Sequence, residues 1–482
     1  MLKRLKRKIK KLKEVLKLKK KICFLMIFVL LMSLLPAFGL ANPVKAQETQ
    51  VYLNGVKINT GDVLPFIENG RTMVPVRLFS ENLGADVKWD DATQAVTIQG
   101  EDVSVKLTIG KKEAVVNGKN KTLDVAPVVL SGRTIVPLRF IAEAFGADVK
   151  WDKETSRAVV VWNIKIKDST GNEVTLSASG LNRVVVISSN IAEAMRIIQV
   201  PDEFIVGVSD QVQKRTYLGF DNKPNVGSMT NPNIEKIAEL KPQAVLLQGR
   251  YVSRYGEKIE ALGIKAIGID FYYLEKYDED LKKTALLFNR GGKAVEFLNW
   301  KNEILSNINN RLTNIEDKEK PRIACLDLMG GFKEGQYKTF PPGSSYDQVI
   351  KFISGNNIAA DLKPSESSEL VSGEWLLQKN PEVIVFVYCS ELGYTTNDYS
   401  GVMKLIDNIK KDPVLSKTDA VKNNRIYFIN ISNLARFTES VYFAKRLYPD
   451  RFKDVNPSQI LKEYFEKWLG IPMKGVWAYP EP

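Results

Sequence analysis

The sequence predicts two related α/β lobes joined by a long rigid helix and preceded by a duplicated β-rich α+β module. Three observations predict it. A helix–proline–strand pattern occurs twice, as PNIEKIAELKPQAVLL (Pro232–Leu247) and VSGEWLLQKNPEVIVF (Val371–Phe386). An unrelated 62-residue repeat fills residues 51–162. A stretch of helical spacing near residues 293–315 separates the two copies of the first pattern.

The charge of the chain is concentrated at its start. Residues 1–46 hold 13 Lys and Arg and one Glu, a net of +12 against +13 for the whole chain. The remaining +1 gives no electrostatic reason for a nucleic-acid partner. The basic run MLKRLKRKIKKLKEVLKLKKK precedes the apolar run ICFLMIFVLLMSLLPAFGLA, the pattern of a secretory signal. Cleavage is expected after Ala41 or Ala46; the alternative is an uncleaved anchor, since the apolar run is long enough to span a bilayer. Either way the expected location is the extracellular face of the cell membrane or the cell wall. Cys23 lies at the start of the apolar run, where a lipoprotein cysteine does not sit. Three cysteines make no disulfide scaffold. Cys325 and Cys389 end predicted strands and read as small buried apolar residues. A bridge between them needs strand ends within about 7 Å.

Residues 47–162 form the duplicated module. GRTMVPVRLFSENLGADVKWD starts at Gly70 and GRTIVPLRFIAEAFGADVKWD at Gly132, with Arg71/Arg133, Pro75/Pro137, Gly84/Gly146 and Trp89/Trp151 in register. Each copy reads as a hairpin at an Asn-Gly turn (Asn54-Gly55, Asn117-Gly118), a short helix stopped by glycine, and two alternating strands. The paired Trp89 and Trp151 are expected in the core of two similar subunits packed in tandem. On these motifs the module resembles the copper amine oxidase N-terminal-like stalk domain of exported proteins. The resemblance implies a spacer, or attachment to the cell wall. The residues oppose a copper site, because the chain has no His and the span has one sulfur side chain, Met73.

Strands and helices alternate from residue 163, the order of a mostly parallel sheet. RVVVISSN, FIVGVS, AVLLQG and AIGID are strands of a first lobe, 163–290. Phe297, Lys301, Ile304, Ile308, Leu312 and Ile315 follow helical spacing, with Gly291-Gly292 expected as a break ahead of them. That connector, within 291–319, is roughly 34 Å long over residues 293–315, from the rise per residue. RIACLDL, VIVFVY and RIYFINI belong to a second lobe, 320–482. In this order, the motifs of 163–482 resemble the class III solute-binding proteins of ABC importers. The resemblance implies capture of a ferric siderophore, haem or corrinoid for delivery to a membrane permease dimer. It also implies that Glu235 and Glu374 dock onto permease arginines. A carboxylate in a first helical turn suits that role, as it accepts a bidentate Arg and is favoured by the helix dipole.

Ligands of open α/β sheets bind beyond the carboxyl ends of the strands. That rule selects Ser189, Asn190, Tyr217, Arg250, Tyr251 and Tyr272 in the first lobe and Tyr337, Tyr388 and Arg436 in the second. Aromatic rings with two arginines suit a flat or caged organic ligand with anionic groups. A small oxyanion held by Arg250, Ser and backbone amides is the smaller alternative. No intrinsic cofactor and no protein metal site is expected. Without His, a Ser-His-Asp or Cys-His arrangement cannot form, and no phosphate-binding loop or nucleophile elbow is present. The reading is therefore a binding protein and not an enzyme; the alternative is a cell-surface sensor or adhesion protein using the same lobes. The module should fold without metal: purified protein should hold no stoichiometric copper by elemental analysis, and a chelator should leave its melting unchanged.

Overall fold

The computed structural model describes residues 49–271, 276–329, 331–431 and 435–481. The expected signal at 1–46 lies outside them. Among the described residues no helix is long and apolar enough to cross a membrane.

The two copies of the module are interlocked. In the first copy, β1 (Gln50–Leu53) and β2 (Val56–Lys57) form a hairpin, and β3 (Phe66–Glu68) and β4 (Arg71–Pro75) form the next. Helix α1 (Val76–Asn82) and strands β5 (Asp86–Asp90) and β6 (Ala95–Gln99) follow, then β7 (Ser104–Thr108). The second copy repeats the order as β8 (Glu113–Val116), β9 (Lys119–Thr122), β10 (Val128–Leu130), β11 (Arg133–Pro137), α2 (Leu138–Ala144), β12 (Asp148–Asp152) and β13 (Arg157–Val161). Strand β1 pairs with β13 of the second copy, while β8 joins β6 of the first copy through β7. Each opening hairpin thus completes the other copy's sheet. The expectation of two subunits in tandem is corrected: neither copy contains all the strands of its own sheet. At the centre, β4 and β11 run antiparallel with Val74 opposite Val136, its own equivalent, which places a local two-fold axis there. Two reciprocal ion pairs obey the same axis, Arg71 to Asp124 at 2.5 Å and Arg133 to Asp62 at 2.7 Å. Exposed pairs of this kind add little stability each, so they serve alignment more than energy.

Local chemistry matches the expected turns. Asn54-Gly55 and Asn117-Gly118 all take positive φ, as a two-residue hairpin turn requires. Gly84 and Gly146, at +81° and +73°, end the two helices. The tryptophans do not behave as expected. Trp89 and Trp151 are 39% and 38% exposed, and the core between sheets is filled instead by residues such as Phe79 and Ile141. On each strand the buried alternation stops before the Trp: Val87 is buried and Val149 half-buried, while Trp89 and Trp151, two residues on, are exposed.

The first lobe has a hairpin, β14 (Ile164–Lys167) and β15 (Glu173–Leu176), and a parallel sheet in the order β17-β16-β20-β21. These strands are β16 (Val184–Val186), β17 (Ile205–Val208), β20 (Ala244–Leu247) and β21 (Lys265–Gly268), with a small hairpin, β18 (Gly227–Ser228) and β19 (Asn231–Pro232), between. The flanking helices are α3 (Ser189–Ile197), α4 (Ile234–Glu239), α5 (Gly249–Glu260) and α6 (Tyr277–Leu287). The second lobe is a seven-stranded mixed sheet, in which the short strands β23 (Tyr337–Thr339), β24 (Asn356–Asn357), β25 (Glu369–Val371) and β28 (Ala478–Tyr479) flank the centre. Its parallel centre is β22 (Arg322–Asp327), β26 (Val383–Val387) and β27 (Ile426–Ile429), each buried on both faces. Cys325 and Cys389 are free and buried, and burial pushes both thiols up, Cys389 to about 11.

Helix α7 (Gly291–Leu312) joins the lobes. Its 22 residues span roughly 33 Å at the usual rise. Gly291 and Gly292 form its first turn, which corrects the expected break. Their smallness has a packing reason. A Cβ on Gly291 would lie 2.5 Å from the Asn82 carbonyl oxygen of α1, so the module and the connector touch backbone to backbone. Asn54 reinforces this joint: its side chain accepts from Trp162 N and donates to Asn289 Oδ1. In the second turn of α7, fully buried Phe297 meets Tyr277, Phe437, Tyr464 and Trp468 at ring distances of 5.1–6.4 Å. At its end, Arg311 grips both carboxylate oxygens of Asp454 at 2.6 and 2.7 Å. Gly291→Ala should lower stability by roughly 1–3 kcal/mol in urea melts, the cost of overpacking a site walled by backbone. Gly292→Ala, whose nearest neighbour is the mobile end of the Asn82 side chain at 3.0 Å, should cost less.

Candidate functional site

The carboxyl ends of β17, β22, β26 and β27 converge on one cavity of about 590 Å³ between the lobes. The first lobe contributes Lys214, Arg215, Thr216 and Tyr217 from the short helical turns Asp210–Lys214 and Thr216–Leu218 after β17. The second contributes Asp327, Met329, Phe340, Tyr388, Tyr394, Asn430 and Trp477 among others.

One wall is aromatic and draws on both lobes. The Tyr217 ring lies 5.4 Å from Tyr394 and 5.9 Å from Phe465, and Phe465 lies 4.9 Å from Trp477. The polar end of Tyr217 is turned away from the cavity into a buried network. Arg215 Nη1 donates to the Tyr217 oxygen at 2.9 Å and sits 3.5 Å from Glu193. Tyr464 Oη, from the second lobe, donates to Glu193 Oε1 at 2.6 Å. Glu193 is fully buried, so this bond joins the lobes where water does not compete. Burial and the neighbouring Glu193 carboxylate raise the Tyr217 phenol well above its ordinary value, so it is neutral.

The floor belongs to the second lobe. Tyr388 directly follows β26 in the left-handed region, φ +56°, a conformation that costs a residue with a Cβ about 1–2 kcal/mol. Its ring packs edge-on to Tyr346 at 5.6 Å, and Arg436 Nη2 donates to its oxygen at 3.0 Å. The Arg436 guanidinium covers the Tyr346 face at 4.8 Å, and Tyr346 Oη donates to Glu439 at 3.3 Å. Burial raises the Glu439 carboxyl to about 7 despite Arg436 beside it. At the rim, Asp327 accepts from Ser368 Oγ at 2.6 Å and from Met329 N at 2.7 Å, which leaves the Met329 side chain 66% exposed.

Two family models match. The copper amine oxidase N-terminal domain covers residues 52–160 and the periplasmic binding protein domain covers residues 192–431. The two-lobed part of the chain is thus similar to the periplasmic binding proteins. Among curated relatives, this chain is 22% identical over 232 residues to the petrobactin-binding protein YclQ of Bacillus subtilis, 48% of this chain and 68% of that one. It is 25% identical over 210 residues to the high-affinity heme uptake system protein IsdE of Staphylococcus aureus, 43% of this chain and 66% of the relative. The matched stretch is thus about two thirds of those relatives' length. Among solved structures, the TroA-like periplasmic binding protein FepB from Veillonella parvula superposes with a TM-score of 0.57 at 22% identity, covering 66% of this chain and 99% of that one. The molybdate-binding protein MolA of Haemophilus influenzae gives 0.53 at 20%, covering 64% and 99%. At these identities the structural likeness shows the two-lobed fold.

The cavity gathers two of the residues selected from sequence, Tyr217 and Tyr388. Arg436 lies one layer below, 4% exposed and holding Tyr388. Tyr337 is in the core of the second lobe, where its hydroxyl donates to both Asp412 oxygens at 2.8 and 3.0 Å. Tyr251 is also buried, and exposed Arg250 stacks on it at 4.9 Å outside the cavity lining. Ser189 and Asn190 form the first turn of α3, with Asn190 5% exposed, and neither lines the cavity. Tyr272 lies outside the described residues. Arg215 and Tyr394 were within reach of sequence reasoning, since both stand in loops that follow predicted strands. Trp477 was not, since its antiparallel segment returns to the sheet from the far end of the chain. Glu235 and Glu374 are exposed, each in the first turn of a short helix, α4 and α8 (Gly373–Lys379). The caps match too: Asn233 accepts from Lys236 N and Ser372 from Trp375 N.

Glu439 makes stability depend on pH. Its folded value, about 7, exceeds the ordinary 4.5, so the folded state holds its proton more tightly. Stability contributed here is greatest below pH 4.5 and falls by roughly 3 kcal/mol as pH rises to 7. Glu439→Gln should flatten the dependence of unfolding free energy on pH across that window in urea titrations.

Proposed function

We propose that this chain is the extracytoplasmic substrate-binding component of an ABC importer, which captures a metal chelate and hands it to a membrane permease dimer. The observation that carries the reading is the cavity between two rigidly joined lobes, about 590 Å³ and lined by five aromatic residues, Tyr217, Phe340, Tyr388, Tyr394 and Trp477. That volume lies within the range of sites for small organic molecules. Lys214, Arg215 and Asp327 all line it, a balance that suits an organic ligand with a few anionic groups rather than a bare polyanion. A ferric siderophore, haem or a corrinoid meets those terms, and the names of the relatives support the first two. The protein supplies binding and no covalent chemistry. Its ligand is cargo and not an intrinsic cofactor. Export to the outer face of the membrane and attachment through the module belong to the same proposal.

In this reading Glu235 and Glu374 are the permease contacts, one per lobe. Matched helix-start positions and matched caps support them. A second reading, a surface sensor or adhesion protein, draws support from the module's tight joint to α7, and co-purification with a permease separates the two. Mass spectrometry and absorbance of protein isolated from its host should reveal a bound chelate. Glu235→Ala and Glu374→Ala should abolish stimulation of permease ATPase activity while chelate affinity changes by less than about twofold. Loss of affinity equal to loss of stimulation would place the glutamates in the ligand site instead.

A further inference from the structure

The tryptophans of the module belong to none of its buried cores. Trp89 and Trp151 occupy the same position in the two copies, and each leaves more than a third of its surface in water. Trp151 lines a cavity of about 280 Å³ outside the lobes. Its other walls include Ile67, which is 49% exposed, and the side chains of Arg71 and Arg139. Arg71 spends only its Nε on Asp124, so its terminal nitrogens make no hydrogen bond among the described residues. Arg139 approaches Glu143 only at 4.0 Å and is 52% exposed. The cavity therefore offers an indole, an aliphatic edge and two guanidinium groups with free N–H donors.

That set has a defined chemistry. An exposed ring is an apolar plate for the C–H face of a sugar, and it loses little conformational entropy on binding. Guanidinium forks pair with carboxylate or phosphate in bidentate geometry. The same residue types recur 62 positions away as Val129, Arg133, Arg77 and Trp89, with Val129 50% exposed. Arg133 there gives both Nε and Nη2 to Asp62, so this second surface is the weaker one. Two contacts on one module suit a ligand that itself repeats, because the second is made at high effective concentration. We infer that the Trp151 cavity, seconded by the Trp89 surface, binds an anionic glycan polymer of the kind that makes up a cell wall. The near-neutral balance of the chain beyond residue 46 disfavours a nucleic acid, which would call for a broad basic face. This inference rests on the proposal that the module attaches the protein to the cell surface, and it names the site and the chemistry.

The test is co-sedimentation of the full chain with insoluble peptidoglycan, before and after removal of its phosphate-bearing polymers, with indole fluorescence as a second readout. Soluble polygalacturonate, neutral dextran and single-stranded DNA serve as competitors. Wild-type protein should sediment and be released by polygalacturonate but not by dextran. Loss of binding after phosphate removal assigns the fork to phosphate, and retention assigns it to carboxylate. Trp151→Ala and Arg139→Glu should each weaken binding about tenfold, and Trp89→Ala less, with melting unchanged because all three side chains are exposed. Wild-type protein that stays in solution, a Trp151→Ala variant that binds fully, or release by DNA as efficient as by polygalacturonate would overturn the site. Chelate binding reports separately on the importer reading: a chain that binds the wall through Trp151 and carries no chelate sinks that reading alone.

Discussion

Helix α7 meets the module and both lobes, and Phe297 is the side chain that anchors it most deeply in the core. Phe297 is buried completely and collects rings from α6 on one side and from the C-terminal helical region on the other. Truncating such a residue costs about 3–5 kcal/mol in a well-packed core, a large part of what a domain has. At one end of the helix a glycine lets the module approach to backbone contact, and at the other an Arg–Asp fork ties the helix to the second lobe. The buried Tyr464–Glu193 bond adds a direct strap between the lobes. The cavity is therefore shaped by folding and not by its ligand, so little ordering cost is left to be met on binding.

The cavity shows what such rigidity permits. Tyr388 is kept at positive φ, and Glu439 is buried with a raised proton affinity. Each costs stability, and both lie in one network with Arg436 and Tyr346 under the cavity floor. Strain of this kind persists only where the surroundings over-determine it. Here the surrounding core does so and holds a phenol ring at the end of a strand facing the opposite lobe.

The interlocked module obeys the same logic by other means. Its two copies exchange hairpins, so the cores of both halves form together, and their reciprocal Arg–Asp pairs fix alignment more than stability. Because the copies share their sheets, the module presents one rigid surface whose tryptophans are left outside it.

Much was determined by sequence alone, and for local reasons. The Asn-Gly turns, the glycine helix stops, the capped helices that carry Glu235 and Glu374, and the apolar central strands follow from conformational preference and periodicity over a few residues. The loops at strand ends were legible too, which is why Tyr217 and Tyr388 were found. Only tertiary structure decided which way side chains in those loops turn. Tyr337 found a carboxylate partner in the core, Tyr251 was covered, and Arg436 became a support beneath the cavity. It also decided that the first hairpin of the module pairs with the second copy, that Gly291 marks a contact and not a break, and that Trp477 returns from the far end of the chain to complete the aromatic wall. Each of these depends on contacts between residues far apart in sequence, where spacing and composition carry no record of which surfaces meet.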